Sequence, residues 1–510
     1  MAILIVWFAA RAAYWNGYYV EDSPGYVSDA IWAAIGDYHV RDHVNGLNVG
    51  TYLPVAVPLW LFGKSEIALS VWPMTCSLIG LLSLAGTSAV LFGRWSGLFA
   101  GLLYATYPGD VFFSTVVMPD ALQAGWLSFS IFLAALAHTQ PRYRKLAAAA
   151  GAAMGICHLM RANDPVLVPI GLGAVAACSR LWRHEPIAAT LRSCALFAAG
   201  VGAIYIGEGL VYWLTIGDFL HRFHVVGGHY GSAASIAQAG LNVDPRTIPF
   251  SIFPPVLWWQ QGLQPLNQDQ AYHALQFCWA LLALIAGSLV LALARRVVDD
   301  AACAGIALAA VWFAWPLLYH QFGSQSVTAY VPMHRLSRHL VVYAPGAVFA
   351  TVAGCALVAR AGRLVSTAVQ ASLAAIGCAL LAIHLTFNQQ GVSIAHQAYQ
   401  QIKGTYQRIR DELPADVRTI TADPGDLCFF EFWLSPLGRE AVRVVPFANV
   451  AGCSEVRDGV VLTFSNPGWQ GGQAPIIRET VARLPCLLDP PKDWRLLYDG
   501  YPEKVYLVAR

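Results

Sequence analysis

Long apolar runs alternate with short polar segments from the first residue to about residue 387. An apolar stretch that crosses about 30 Å of hydrocarbon must satisfy its backbone hydrogen bonds internally, which favours a helix. The pattern therefore predicts a polytopic α-helical membrane protein with about eleven transmembrane helices. We expect these helices at residues 1–20, 66–92, 95–108, 120–138, 145–161, 163–181, 190–216, 272–295, 301–320, 339–359 and 364–387.

The composition supports a membrane protein. Hydrophobic residues make up 57% of the 510 residues and charged residues 12%, with a mean hydropathy of +0.50. An ordinary soluble domain carries roughly twice that share of charge, so this chain needs a lipid bilayer as part of its solvent. The first run lacks the basic start of a secretory signal peptide, and we interpret it as a transmembrane anchor. A cleaved signal peptide is the alternative.

The distribution of basic residues predicts the orientation. With a cytoplasmic N-terminus, every short inside turn is basic, as the positive-inside rule requires. The remaining polar segments are mixed in charge and would face the outside, which is the periplasm or exterior if the membrane is a bacterial inner (cell) membrane. We call residues 21–65 the first polar loop and residues 108–119 the second polar loop. The basic turns contain Arg94, Arg142, Arg144, Lys145, Arg180, Arg183, Arg192, Arg295, Arg296, Arg360 and Arg363.

The C-terminal part changes character. After residue 388 charged residues become frequent and no segment is apolar enough to span a bilayer. Short β-type runs there alternate with helical stretches near 396–412 and 473–484, which predicts a soluble α/β domain over residues 389–510, outside the cytoplasm. The transmembrane domain would then comprise residues 1–388. The expected strands lie at 417–420, 442–445, 460–464 and 504–508.

The eleven cysteines show no metal-binding spacing. Eight lie in apolar segments, where a thiol packs as a small apolar side chain. Cys428, Cys453 and Cys486 fall in the predicted outside domain, where one disulfide is expected without assigned partners. The chain has no GxGxxG, P-loop, HExxH or GxSxG motif, and its net charge is +2. We therefore expect no nucleic-acid partner and no nucleotide or hydrolase site.

Candidate chemistry lies on the predicted outside face. Asp22 directly follows the first apolar run, and Asp120, Arg161 and Arg338 emerge on the same side. Acidic and basic residues at one membrane face, beside a soluble domain, indicate chemistry at that face. Structural roles are the alternatives: Asp22 and Asp120 each stand where they could cap a helix, and the arginines could reach to the interface from helix ends. Glu208 is a further candidate, because a carboxylate within an apolar segment is functional by default.

Several segments, in order along residues 20–360, resemble the GT-C glycosyltransferases, the superfamily of protein O-mannosyltransferases and aminoarabinose transferases. Asp22-Ser23-Pro24-Gly25-Tyr26 with Ala30 is similar to the superfamily's first-loop D-x-x-x-Y-x-x-x-A signature. Further similar segments are its juxtamembrane helix at Thr51-Tyr52-Leu53-Pro54, its cytoplasmic turn at Phe92-Gly93-Arg94-Trp95-Ser96-Gly97-Leu98, its second-loop acidic residue at Met118-Pro119-Asp120, and the segments His158-Leu159-Met160-Arg161 and His334-Arg335-Leu336-Ser337-Arg338.

This resemblance implies a glycosyltransferase of the cell envelope that moves a monosaccharide from a polyprenyl-phosphate donor to an acceptor lipid, glycan or protein. Asp22 would be the general base that activates the acceptor hydroxyl. Asp120 would orient the acceptor or, with Asp22, hold a divalent cation such as Mg, Mn, Ca or Zn. Arg338, with Arg335 and Arg161 as alternatives, would bind the donor phosphate. Tyr26, Glu21 and His334 would line the substrate cavity.

The sequence departs from the superfamily at one point. It has Asp22-Ser23 where many members have Asp-Glu, so a second carboxylate there would come from Glu21 or Asp29. Two other functions stay open. A transporter or flippase of lipid-linked sugars would show inverted repeats and broken mid-membrane helices, for which the sequence has no convincing sign. A receptor-like or assembly protein would act through its C-terminal domain.

Overall fold

The computed structural model describes residues 1–18, 23–40, 44–161, 167–230, 268–293, 299–322, 337–362, 367–412, 419–422, 432, 443–456, 459–464, 482–487, 489–499 and 503–508. The chain forms two compact units. The first comprises Met1–Asn16, His39–Pro54 and Ser70–Ile394, and the second comprises Gly17–Tyr38, Val55–Leu69 and Ala395–Arg510. The predicted functional domains, 1–388 and 389–510, stay a prediction, because compact units are defined by contacts alone.

Helices dominate the described residues. The first eleven are α1 Ala2–Ala13, α2 Ser23–Ala34, α3 Val49–Phe62, α4 Glu66–Phe92, α5 Arg94–Ala105, α6 Pro108–Phe113, α7 Pro119–Ala137, α8 Leu146–Met160, α9 Leu167–Ala177, α10 Ile187–Ile216 and α11 His221–Tyr230. Later helices are Gln268–Leu293, Asp300–Ala309, Trp315–Phe322, Ala344–Gly362, Thr367–Phe387 and Ser393–Glu412. The short 3₁₀-helices Val44–Leu47 and Ser337–Tyr343 precede α3 and Ala344–Gly362.

Each predicted span contains a helix, which confirms the predicted fold class. Among the described residues, seven helices are long and apolar enough to cross a membrane. Others are shorter than predicted, at 12 residues in α1 and α5 and 15 in α8. The predicted span 95–108 extends past the end of its helix, because α5 ends at Ala105, with Thr106 as its C-cap, and Pro108 starts α6. The apolar pattern alone does not mark this boundary.

Close backbone packing joins α8 to α10. A Cβ on Gly151 of α8 would overlap the Phe197 carbonyl oxygen, and one on Gly200 of α10 would overlap the Ala148 carbonyl oxygen. Both positions therefore require glycine. Small residues of this kind let membrane helices approach closely where lipid removes the hydrophobic drive for association. The contact fixes the first half of α8 against α10.

Burial separates the inner from the lipid-facing helices. The span Leu340–Arg360 is 83% buried, and its Phe349 packs against Trp312 with ring centroids 5.4 Å apart. The span Ile187–Ile216 is only 22% buried. Its Trp213 and Leu214 are exposed, as expected for a helix in lipid. The span Pro119–Ala137 is 78% buried, so the described part of the first unit is a helical bundle with inner and lipid-facing helices.

The second unit contains a five-stranded mixed sheet. The strands are β1 Thr419–Ala422, β2 Arg443–Pro446, β3 Gly459–Phe464, β4 Trp494–Asp499 and β5 Glu503–Val508, in the order β2-β1-β3-β5-β4. The pairs β1–β2 and β1–β3 are parallel, and β3–β5 and β4–β5 are antiparallel. The structure confirms the α/β character and the four predicted strands; β4 was missed. The predicted helix 473–484 lies largely outside the described residues.

One disulfide joins Cys453 to Cys486 within the second unit. It settles which of the candidate cysteines pair, whereas Cys428 lies outside the described residues. Eight cysteines in the apolar segments are free thiols. In the same unit, Glu66 at the start of α4 accepts hydrogen bonds from Tyr399 and Lys403 of the helix Ser393–Glu412.

Candidate active site

The predicted site residues differ in how far the structure describes them. Arg338 lies in the 3₁₀-helix Ser337–Tyr343, where its backbone alone is described. Tyr26, Asp120 and Arg161 are described in full. Four predicted residues lie outside the described ranges: Glu21, Asp22, His334 and Arg335. The roles of those four stay predictions.

Tyr26 lies on α2, which is a packed helix of the first polar loop. The helix begins at Ser23 and buries eight of its twelve residues, including Tyr26 at 2% exposure. Asp29, the alternative second carboxylate, is also buried on this helix, at 5% exposure. The sequence Ser-Pro at its start explains the position of the helix, since proline is tolerated in a first helical turn. The segment that follows Asp22 is therefore ordered structure.

Asp120 occupies the first turn of α7 and is 1% exposed. Pro119 starts the helix, where a missing N–H costs nothing. The residue before it, Met118, is the N-cap in extended backbone, and no side chain caps the helix. Asp120 is thus not the helix cap that the sequence left as an alternative.

Arg161 follows α8 directly, and its Nη1 donates to Oδ1 of Asp120 at 3.1 Å. The guanidinium is 16% exposed, while the carboxylate is almost completely buried. About one helical turn away from this ion pair, α7 and α8 are also joined by a hydrogen bond: Gln123 Nε2 donates to the Cys157 carbonyl oxygen at 3.5 Å. The structure therefore brings together one predicted acid and one predicted phosphate ligand. Arg161 therefore forms an ion pair, in addition to any contact with the membrane interface.

A second buried ion pair was missed by sequence reasoning. Arg11 of α1 and Asp110 of α6 are in contact and both have no exposed surface. Asp110 also accepts hydrogen bonds from Ser77 Oγ at 2.6 Å and Tyr104 OH at 2.9 Å. An arginine inside an apolar segment was a usable signal, because ionisable residues in spans are costly and retained for a reason. Its partner, Asp110, lies 99 residues away and could be identified only from the fold.

Glu208, a lower-ranked candidate, is paired with Arg222. Arg222 Nε donates to both carboxylate oxygens, at 2.9 and 2.8 Å, and Nη2 donates to the Leu47 carbonyl oxygen at 2.7 Å. The two side chains are 8% and 3% exposed. Tyr212 OH adds a hydrogen bond to Glu208 at 3.2 Å. This cluster anchors the end of α10 to α11 and to the 3₁₀-helix before α3, which is a structural role.

His158 lies three residues before Arg161 on α8. Its ring stacks on Tyr205 of α10 with centroids 4.4 Å apart. The imidazole is buried, and neither ring nitrogen has a hydrogen-bond partner in the described part of the chain. Stacking explains its position, and the geometry gives it no role in proton transfer.

The turn between α10 and α11 carries an electrostatic contact at the protein surface. His224 Nδ1 lies 2.8 Å from Asp218 Oδ2. This hydrogen bond is the main cause that lowers the pKa of Asp218 below its usual value. Gly217, with a positive φ of 76°, ends α10 just before the turn. The contact stabilises the helix junction.

A family model described as dolichyl-phosphate-mannose-protein mannosyltransferase matches residues 54–205. That range contains α4 to α9, with both Asp120 and Arg161. No curated protein sequence matches the chain.

Solved structures show the same fold over nearly the whole length. ArnT from Cupriavidus metallidurans in the apo state is 17% identical, with a TM-score of 0.52, covering 99% of this chain and 96% of that one. ArnT bound to undecaprenyl phosphate is 15% identical, with a TM-score of 0.55 and the same coverage. The likeness to these membrane glycosyltransferases shows a shared fold, and the family model supports it over residues 54–205. A more distant GT-C structure is the Archaeoglobus fulgidus oligosaccharyltransferase tethered with an acceptor peptide, at 11% identity and a TM-score of 0.50, covering 100% of this chain and 74% of that one.

A divalent cation was predicted at Asp22 and Asp120. Another complex of the Archaeoglobus GT-C enzyme contains Zn and sulfate. In this protein, no group of three or more His, Cys, Asp or Glu side chains within the described residues forms a metal site. Asp120 instead carries the ion pair with Arg161. Asp22, the other predicted ligand, lies outside the described residues, so the divalent cation stays a prediction and we derive no step through it.

Proposed function

We propose that this protein transfers a monosaccharide from a polyprenyl-phosphate donor to an acceptor outside the cytoplasm. The observation that carries the proposal is the Asp120–Arg161 pair, 3.1 Å apart where α7 begins and α8 ends. A carboxylate and a guanidinium fixed side by side suit a reaction in which a hydroxyl attacks and an anionic phosphate departs. The likeness to ArnT, one structure of which holds undecaprenyl phosphate, supports a lipid-linked donor.

The reaction needs a base and a cation. Asp22 takes the proton from the acceptor hydroxyl as its oxygen bonds to the anomeric carbon. The bond between that carbon and the donor phosphate oxygen breaks, and polyprenyl phosphate leaves with the electron pair. Arg338, Arg335 and Arg161 are the candidates that stabilise the departing phosphate by charge-assisted hydrogen bonds. The acceptor is a lipid, a glycan or a protein, and the sugar is a hexose or a pentose.

Asp120 is proposed to orient the acceptor. Its ion pair with Arg161 keeps the carboxylate charged, and a charged carboxylate is a strong acceptor for a sugar or side-chain hydroxyl. A guanidinium presents five N–H donors in a planar fork, so one arginine can hold a carboxylate and a phosphate oxygen together. Arg161 would then couple acceptor orientation to departure of the phosphate.

The catalytic face is proposed to lie in the periplasm or exterior. The basic inside turns support this orientation through the positive-inside rule. The Cys453–Cys486 disulfide supports it independently, because disulfides persist in oxidising compartments. Residues 1–388 would form the catalytic transmembrane domain, and residues 389–510 would help to recruit the acceptor on the same face.

The decisive experiment is transfer of labelled sugar from a panel of hexosyl and pentosyl polyprenyl phosphates by the purified protein. We expect transfer by wild type and its loss in Asp22→Asn. The matched control is Asp37→Asn, which removes an exposed carboxylate of the same polar loop and should leave transfer unchanged.

Three outcomes decide between alternatives. Full transfer by a folded Asp22→Asn variant rejects Asp22 as the base. Inactivation by EDTA, reversed by one divalent cation, establishes the metal. Absence of transfer by wild type from every donor, together with movement of the donor across vesicles, rejects the enzyme in favour of a flippase.

A further inference from the structure

We infer that the buried Arg11–Asp110 ion pair is a positioning device that fixes Asp120 for catalysis. The inference rests on the proposed function, in which Asp120 orients the acceptor. Arg11 and Asp110 are therefore positioning residues, which act through the backbone that connects Asp110 to Asp120.

Stability alone does not account for this pair. Removing two opposite charges from solvent is costly, and apolar side chains of similar volume commonly serve a core as well or better. Here neither side chain has any exposed surface. We therefore attribute this fully buried pair to the arrangement of the helices that it specifies.

The pair specifies where four helices meet. Arg11 Nη1 donates to the Ala105 carbonyl oxygen of α5 at 3.0 Å and to the Trp7 carbonyl oxygen of its own helix at 2.9 Å. Nη2 donates to Ser77 Oγ of α4 at 3.1 Å and to the Asp110 carboxylate of α6. A planar guanidinium that donates to several fixed acceptors is held in one position. A lysine ammonium, which is a point charge, would not be oriented in this way.

The connection from Asp110 to Asp120 is short and densely packed. Every residue from 107 to 120 is buried except Phe112, which is half-buried. Backbone hydrogen bonds from Val116 N–H to the Phe113 carbonyl, 3.3 Å, and from Met118 N–H to the Val116 carbonyl, 2.9 Å, keep the linker folded. Packed interiors transmit displacement because they have little free volume. A shift of α6 therefore moves Asp120.

The same network reaches Asn16, which precedes the first polar loop in the sequence. The Asn16 N–H donates to Thr115 Oγ1 at 3.1 Å, and the Thr115 carbonyl oxygen accepts from Ser70 Oγ at 2.9 Å. In the sequence, Asp22 follows Asn16 by six residues. The network around Arg11, in the last turn of α1, thus extends to Asn16 at the end of the first described segment of the first unit.

The test is an apolar variant that removes the pair without leaving an unpaired charge: Arg11→Met, Asp110→Leu and Tyr104→Phe together. Tyr104→Phe is included because its hydroxyl donates to Asp110. We expect a folded protein with wild-type thermal stability, a donor KM within about twofold, and a kcat reduced roughly 10- to 100-fold, since small misplacements of orienting groups cost this much. A purely structural pair would not split kcat from KM in this way.

Two further variants keep the outcome decisive. Arg11→Lys retains the positive charge but loses the planar guanidinium, so we expect a kcat about tenfold lower at unchanged stability. If the apolar variant does not fold, Arg11→Lys tests the inference in its place. Ser130→Ala removes a buried hydrogen bond between α7 and α8, Ser130 Oγ to the Ala150 carbonyl at 2.8 Å, and should retain full kcat.

The failures are distinguishable. If wild type is active and the folded apolar variant keeps the wild-type kcat, this inference is overturned and the proposed function is not. If the apolar variant does not fold, an unchanged kcat in Arg11→Lys has the same consequence. An equal loss of kcat in Ser130→Ala overturns it as well, because any disturbed buried bond would then suffice. A wild type that is inactive with every donor refutes the proposed function and this inference with it.

Discussion

Asp120 and Arg161 lie 41 residues apart in the chain and form a buried ion pair at 3.1 Å. The carboxylate comes from the first turn of α7 and the guanidinium from the residue after α8, so the pair depends on how these two helices pack. Both residues were predicted to be functional, but the sequence assigned them separate roles. Their contact makes the acid and the cation one unit.

That unit gives a first prediction. Asp120→Asn should lower kcat about 100-fold, because the amide preserves shape but removes the charge that is proposed to bind the acceptor hydroxyl. It should also lower the Tm, because Arg161 loses its counter-charge. Arg161→Gln should also lower kcat, and the double variant should lose less than the two single losses multiplied, since coupled residues are not additive. Steady-state kinetics on all three variants measures the coupling; fully multiplicative losses would contradict it.

The Glu208–Arg222 pair should govern stability. Glu208→Gln leaves a buried arginine without its counter-charge, which costs about 3–5 kcal/mol. Thermal unfolding in detergent should show a clear decrease in Tm. Replacing both residues by Leu and Met should recover most of it, because no unpaired charge remains.

An exposed pair provides the control for that experiment. Arg360 contacts Asp299 at 2.7 Å with 27% and 59% exposure. Asp299→Asn should change stability by at most about 1 kcal/mol. An equal effect of Glu208→Gln and Asp299→Asn would show that burial of the first pair has no energetic consequence.

The glycines of α10 offer a matched comparison. Gly200→Ala should destabilise the protein by about 1–3 kcal/mol, because the new methyl group overlaps the Ala148 carbonyl oxygen of α8. Gly202→Ala meets nothing within 4 Å and should be neutral or stabilise by up to about 1 kcal/mol, since alanine favours helix. Thermal unfolding of both variants checks the packing of α8 on α10. A stable Gly200→Ala protein would contradict it.

The disulfide should stabilise the second unit. Its cysteines are 33 residues apart, and closing a loop of that length removes enough chain entropy from the unfolded state to stabilise by about 3–4 kcal/mol. Cys453→Ser with Cys486→Ser should therefore speed proteolysis of the C-terminal region. Reductant should speed it in wild type and leave the double variant unaffected. Cys378→Ser, which removes an exposed free thiol, serves as the control.

The Asp218–His224 contact should make the α10–α11 turn sensitive to acid. The hydrogen bond lowers the folded-state pKa of Asp218, so its stabilising effect is present above the usual aspartate pKa and is lost as pH falls through the lowered value. Hydrogen exchange at the Phe223 amide should therefore increase in acid relative to His224→Gln measured at the same pH. Identical exchange in both proteins at every pH would exclude the contact.

The sequence predicted the membrane fold well because burial in lipid acts on long stretches. Apolar runs located a helix in every predicted span, and alternating β-type runs located four of five strands. The boundaries were less accurate: α5 ends before Pro108, which apolarity does not reveal. The strand β4 was missed although its four apolar residues equal those of the predicted strand β5, because its charged residues, Arg495 and Asp499, interrupt the apolar run near both ends.

What the sequence determined by itself was the class of protein and the identity of candidate residues, since composition and local motifs do not depend on partners. Only the tertiary structure decided which residues meet. Arg11 contacts Asp110, 99 positions away in the sequence, and Arg161 contacts Asp120, 41 positions away. Both contacts result from helix packing. Charges buried among apolar helices must be paired, and the partner is selected by the fold rather than by neighbouring residues.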